Sequence, residues 1–94
     1  MAREQLVHAL KCWSPFFEAI LTGAKRFELR KNDRDFHCGD LLLLRETRAA
    51  GLGEGESVLG GELTGRECYV VVNYLLDGHT GLTPGYVVMG ISRL

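Results

Sequence analysis

Ninety-four residues leave room for one hydrophobic core, and a chain this short buries only about 60 to 65% of its unfolded surface, so a monomer or weak homodimer of modest stability is expected. An apolar fraction of 46% with 24% charged residues excludes the disordered and fibrous classes. Eleven basic against twelve acidic residues give a net charge of -1, which excludes the chain-wide positive field that drives binding to phosphate backbones, so any nucleic-acid contact has to be local.

Leu6 to Leu10 alternate weakly and lead into Trp13-Ser14-Pro15, where Ser14 is expected to cap a helix and Pro15 suits its first turn. Phe16, Phe17, Ile20 and Leu21 share one helical face, Glu18 lies near the positive end of the helix dipole, and Gly23 marks the stop. After Gly23 the period changes to two. Phe27 and Leu29 then point one way, towards the core, and Arg26, Glu28 and Arg30 the other. Lys31 to Asp35 is too polar to bury and reads as an exposed loop closed by Phe36, after which Gly39-Asp40 turns into Leu41 to Leu44, a strand buried on both faces.

The glycine-rich stretch 47–64 has neither period and reads as a long flexible loop or hairpin tip. Glu67 to Leu76, with Tyr69-Val70-Val71-Val72 and Tyr74, has the strongest β composition and predicts a central strand; Tyr86 to Ile91 predicts the last one. Gly39, Gly65 and Gly85 are expected to serve backbone turns. About five strands with one early helix, and no regular βαβ alternation, indicate one α+β domain over residues 1–94, or a small partly open barrel.

No run of eighteen apolar residues occurs and the first residues lack the layout of a signal peptide, so a cytoplasmic protein with no membrane partner is expected. Cys12, Cys38 and Cys68 are odd in number and without a CxxC, which suits free buried thiols. His8, His37 and His79 do not combine with Cys12 and Cys38 at the paired spacings of a metal site, and neither a metal nor a cofactor is implied.

The segment Lys25 to Phe36 carries the most chemistry, with five basic and three acidic residues. A carboxylate at Glu28 between the guanidiniums of Arg26 and Arg30 can present forked donors to a phosphate or base edge. The same pattern also suits a solvated charge ladder on an exposed strand. Lys25 shares the parity of Phe27 and Leu29, so its stem is expected along apolar surface with the ammonium at a cleft mouth. Lys31, Asn32 and Arg34 add polar groups from the loop. Trp13 and Phe36 are the candidates for stacking on an unpaired base, whereas Tyr69, Tyr74 and Tyr86 are expected mostly in the core.

The run Gly23-Ala24-Lys25-Arg26-Phe27-Glu28-Leu29-Arg30 resembles the GxKxxExR signature of ASCH domains, members of the PUA-like superfamily. Lys31 to Phe36, Gly39 to Glu46, Thr64-Gly65-Arg66-Glu67 and Gly85 to Met89, with His8 to Lys11 and Trp13, are similar to a phage and bacterial ASCH-related domain of unknown function. The resemblance implies a PUA-like pseudobarrel with a cleft beside the GxKxxExR segment, and RNA or a modified nucleoside as partner. Hydrolytic ASCH proteins use a lysine and a threonine in a K-x-x-T arrangement; Lys25 matches the lysine, but Glu28 stands where the threonine would be.

Three functions follow as expectations. The first is an RNA- or nucleotide-binding module using Lys25, Arg26, Glu28, Arg30, Lys31, Asn32, Arg34, Trp13 and Phe36. The second is an amidohydrolase-like enzyme on a modified nucleoside, with Glu28 as general base and Lys25 orienting the carbonyl. The third is a phage-associated protein-interaction domain.

Overall fold

The computed structural model describes residues 4–48 and 61–94. Its elements are β1 (Val7–Trp13), α1 (Ser14–Leu21), β2 (Phe27–Lys31), β3 (Leu41–Arg48), β4 (Glu62–Asp77) and β5 (Tyr86–Arg93). The strands form one mixed sheet in the order β1-β3-β4-β5-β2, with β1 parallel to β3 and the other neighbours antiparallel. The sheet curls into a half-barrel, and its two edge strands, β1 and β2, face each other across a cleft. The stretch with the strongest β composition lies at the middle of the sheet, as its run of valines predicts.

Alternation along each strand sends one set of side chains into the half-barrel. Leu10 and Cys12 of β1, Leu42 and Leu44 of β3, Cys68, Val70 and Val72 of β4, and Val87, Met89 and Ile91 of β5 form the core with Phe17, Ile20 and Phe36. Full burial of each large aliphatic or aromatic side chain contributes about 1.5 to 3 kcal/mol. The sheet bends where bulges interrupt the ladder. At one, Gly65 takes φ +94° in β4, opposite the register shift between Arg45 and Thr47 of β3. At the other, Asn73 is the extra residue facing β5, and a Cβ on Gly90 would lie 2.5 Å from the Asn73 Oδ1 and 3.2 Å from the Tyr74 Cβ, so a larger residue there would displace the Asn73 side chain.

Several sequence expectations change. The helix cap is Trp13, with no side-chain cap bond; Ser14 is already helical and donates its hydroxyl to Glu46 Oε2 at 2.8 Å. Phe17 and Ile20 are buried, whereas Phe16 is exposed. Leu42 and Leu44 are buried while Leu41 and Leu43 are only half-buried, so β3 is not covered equally on both faces. The expected loop 47–64 is shorter, because Thr47, Arg48 and 62–64 extend β3 and β4; 49–60 lie outside the described residues. Gly39 and Gly85 turn the chain at positive φ as expected, but Gly65 sits in a strand. Cys12 and Cys68 are buried and Cys38 is exposed. Tyr69, Tyr74 and Tyr86 are exposed rather than in the core.

The largest correction concerns β2, whose two faces are reversed. Phe27 and Leu29 are about half exposed, while Glu28 is 4% exposed. The reason lies in the register: Glu28 pairs with Met89 and Arg30 with Val87, both fully buried, so Glu28 and Arg30 share the inward face of β5. Parity alone assigned the apolar residues inward, but a buried carboxylate is tolerated where cations and hydrogen bonds satisfy it.

Candidate functional site

Glu28 sits between two cations. Lys25 Nζ donates to Glu28 Oε1 at 2.7 Å, and Arg30 Nε donates to Oε2 at 2.7 Å. Lys25 reaches this position because the chain turns after α1, where the Lys25 amide donates to the Ala19 carbonyl at 3.0 Å. Its ammonium also donates to the Phe27 carbonyl at 2.7 Å and lies 5.3 Å and 4.8 Å from the ring centroids of Phe16 and Phe27. Among the described residues there is one donor on each oxygen, which leaves Glu28 with about two of its four lone-pair sites open.

This group forms the floor of a cleft of about 790 Å³ between the two sheet edges. Edge strands carry unpaired backbone groups. Here arginine side chains meet those of β1: Arg30 Nη2 donates to the Lys11 carbonyl at 2.5 Å, and Arg34 Nη1 donates to the Ala9 carbonyl at 3.0 Å. The half-barrel is therefore closed on this side by guanidiniums instead of a strand ladder. The cleft carries Lys11, Lys25, Arg30, Lys31, Arg34 and Arg45 against Glu28 and Asp33, a local excess of positive charge in a chain of net charge -1. Lys25 and Arg30 hold Glu28 between them, Arg45 bonds Glu67 at 3.0 Å, and Arg34 Nε lies 3.9 Å from Asp33. The exposed rings of Phe16, Phe27 and Tyr86 line the same cleft, with Trp13 edge-on to Phe16 at 5.7 Å.

Of the residues singled out from sequence, Trp13, Lys25, Glu28, Arg30, Lys31 and Arg34 line this cleft together. Arg26 does not; its Nε donates to the Gly23 carbonyl at 3.1 Å and it lines a smaller pocket. Asn32 is spent on the turn, where its Oδ1 accepts the Phe36 amide at 3.1 Å. Phe36 is buried in the core with His8 edge-on at 4.9 Å and offers no stacking face. Phe16 and Phe27 were missed, and Tyr86 was weighed for stacking but expected in the core. Parity assigned Phe27 to the core, and helical spacing did the same for Phe16, so both aromatic walls were hidden by the usual rule that apolar residues point inward.

The Cys12 thiol lies in the cleft wall, and burial, followed by the charge of Glu28, pushes its pKa up to about 12. It is a protonated wall residue at neutral pH, not a nucleophile.

A second buried carboxylate occupies the corner where α1 meets the β3–β4 pair. Glu46 accepts from Ser14 Oγ at 2.8 Å, Thr64 Oγ1 at 2.6 Å, and Arg66 Nε and Nη2 at 2.9 and 2.8 Å. Arg66 also bonds Glu18 and covers the Phe17 ring at 5.2 Å. The Arg66 bonds, which outweigh the opposing cost of burial, with Thr64 and Ser14 adding to them, lower the Glu46 pKa to about 2. All four lone-pair sites are filled, which fastens the helix to the sheet.

Among the described residues no helix is long and apolar enough to cross a membrane. Residues 7–91 match the family model of a domain of unknown function, DUF3850, and the chain belongs to that family. The chain is also similar to an uncharacterised 12.9 kDa protein in the GpA 3′ region of Escherichia phage P2, being 42% identical over 40 residues. That match covers 43% of this chain and 37% of the phage protein, so it spans little more than a third of the relative's length.

Proposed function

We propose that this DUF3850 protein is a binding module for RNA or a nucleotide-like ligand, and that its half-barrel is of the ASCH/PUA-like type. The observation that carries the reading is Glu28: a buried carboxylate at the floor of an open cleft, held by Lys25 and Arg30, with lone pairs left over. A nucleobase edge carries N–H donors that such a carboxylate accepts, and sequence-tolerant stacking on Phe27, Phe16 or Tyr86 adds about 1 to 3 kcal/mol per base. Arg30, Arg34 and Lys31 supply the local positive charge that a phosphate requires. Arg30 and Arg34 each retain N–H donors beyond those given to the β1 carbonyls, so phosphate binding and seam closure are compatible.

The test is a titration of single-stranded RNA and a panel of nucleoside monophosphates at low salt, with wild type and Arg30→Ala. Binding by the wild type that weakens at least tenfold in the variant is expected. Absence of binding to every member of the panel overturns the reading. The hydrolase alternative draws on the 2.7 Å Lys25–Glu28 contact in the cleft. It requires release of acid from an acylated nucleoside by the wild type and none by Glu28→Gln.

A further inference from the structure

The smaller pocket, about 330 Å³, has its own chemistry. The C-terminal end of α1 forms one wall, and Val70 and Ile91 give an apolar floor. Among the described residues its charged lining is Lys25, Arg26 and Arg93 without a carboxylate side chain, and the Lys25 ammonium is itself bonded to Glu28 in the large cleft. Arg26 Nε donates to the Gly23 carbonyl at 3.1 Å and Arg93 Nη1 to the Leu21 carbonyl at 3.2 Å. Cations there suit the negative end of the helix dipole, which opposes an anion, so a phosphate would rest on the guanidinium donors that the bonds to the two carbonyls leave over. Ser92 accepts the Asn73 amide at 2.6 Å and keeps its own hydroxyl proton to donate.

Lys25 borders this pocket and the large cleft alike, so the two cavities adjoin along a single residue. A cationic pocket beside a nucleotide-sized cleft suits the next phosphate of a chain better than a second isolated ligand. Resting on the binding reading above, we propose that the ligand is a single-stranded oligonucleotide that passes over Lys25. One phosphate then sits between Arg26 and Arg93, and the neighbouring nucleotide occupies the cleft. Arg26 is therefore a phosphate-contacting residue of the second pocket and not part of the cleft where the GxKxxExR pattern first grouped it.

The experiment compares a mixed-sequence RNA hexamer with the four nucleoside 5′-monophosphates, using wild type and the double variant Arg26→Gln/Arg93→Gln. Glutamine keeps one N–H donor for each helix carbonyl, and circular dichroism checks that the fold persists. For the wild type, the hexamer is expected to bind at least tenfold more tightly than any monophosphate, and the double variant is expected to bring that ratio close to one. Each lost phosphate contact should also make the salt dependence of hexamer binding shallower by about 0.7 in log–log slope. A wild-type ratio near one, or a ratio and slope that survive the double variant, overturns the second pocket while leaving the cleft reading intact. Monophosphate and hexamer both failing to bind removes both proposals.

Discussion

Two buried carboxylates, Glu28 and Glu46, sit on strands of the same sheet, and each is bonded by an arginine. Glu46 of β3 accepts four donors, two on each oxygen, from α1 and β4, which meet it at one corner. Glu28 accepts two, one on each oxygen, and faces a cleft. The difference is one of saturation. A filled carboxylate joins parts of the fold, and a half-filled one at a cleft floor has capacity left for a ligand.

The arginines break the comparison most sharply. Arg66→Ala leaves Glu46 with two hydroxyls as its side-chain donors and opens it to water where the half-exposed guanidinium lay, and urea unfolding should show a clear fall in stability. Arg30→Ala leaves Glu28 still paired with Lys25, so a smaller loss of about 0.5 to 1.5 kcal/mol is expected, alongside the loss of ligand binding. Equal stability losses would show that the two carboxylates do the same job.

Acid sharpens the contrast. The folded Glu46 carboxyl has its pKa lowered to about 2 from an ordinary 4.5, so its contribution is complete above about pH 4.5 and is lost as pH falls through about 2. Glu46→Gln is expected to flatten that part of the stability–pH curve. An unchanged acid slope in the variant would remove the assigned linkage.

The smallest effect concerns Thr47, next to the filled Glu46. Among the described residues its buried hydroxyl has no hydrogen-bond partner. Thr47→Val should raise stability by about 1 kcal/mol, because it removes an unsatisfied polar atom while preserving shape. A destabilised variant would mean that the hydroxyl has an acceptor after all.

Much of the fold was legible because β composition and turn residues are local signals: the valine-rich stretch gave the central strand, and Pro15 and Gly23 bounded the helix. The faces of β2 were not legible, since they are fixed by pairing with Met89 and Val87 some sixty residues away. Lys25, Glu28 and Arg30 were grouped by the resemblance to the GxKxxExR signature, whereas strand parity put Lys25 on the other face, and their convergence depends on Lys25 folding back from the helix end. Phe16 and Phe27 stayed hidden as cleft-lining rings, and Tyr86 was expected in the core, because an exposed aromatic and a core aromatic look alike in sequence. Glu46 and Arg66 appeared only within matched runs, twenty residues apart, with no local sign that they bond.

The most direct test is a map of backbone amide shifts in the wild-type protein titrated with a mixed-sequence RNA hexamer at low salt. Shifts concentrated at Phe27, Glu28, Arg30 and Tyr86, with Glu46 and Arg66 unmoved, are the predicted result. Shifts centred on Glu46 and Arg66, or none in the cleft at saturating RNA, would contradict the assignment of the half-filled carboxylate as the binding site.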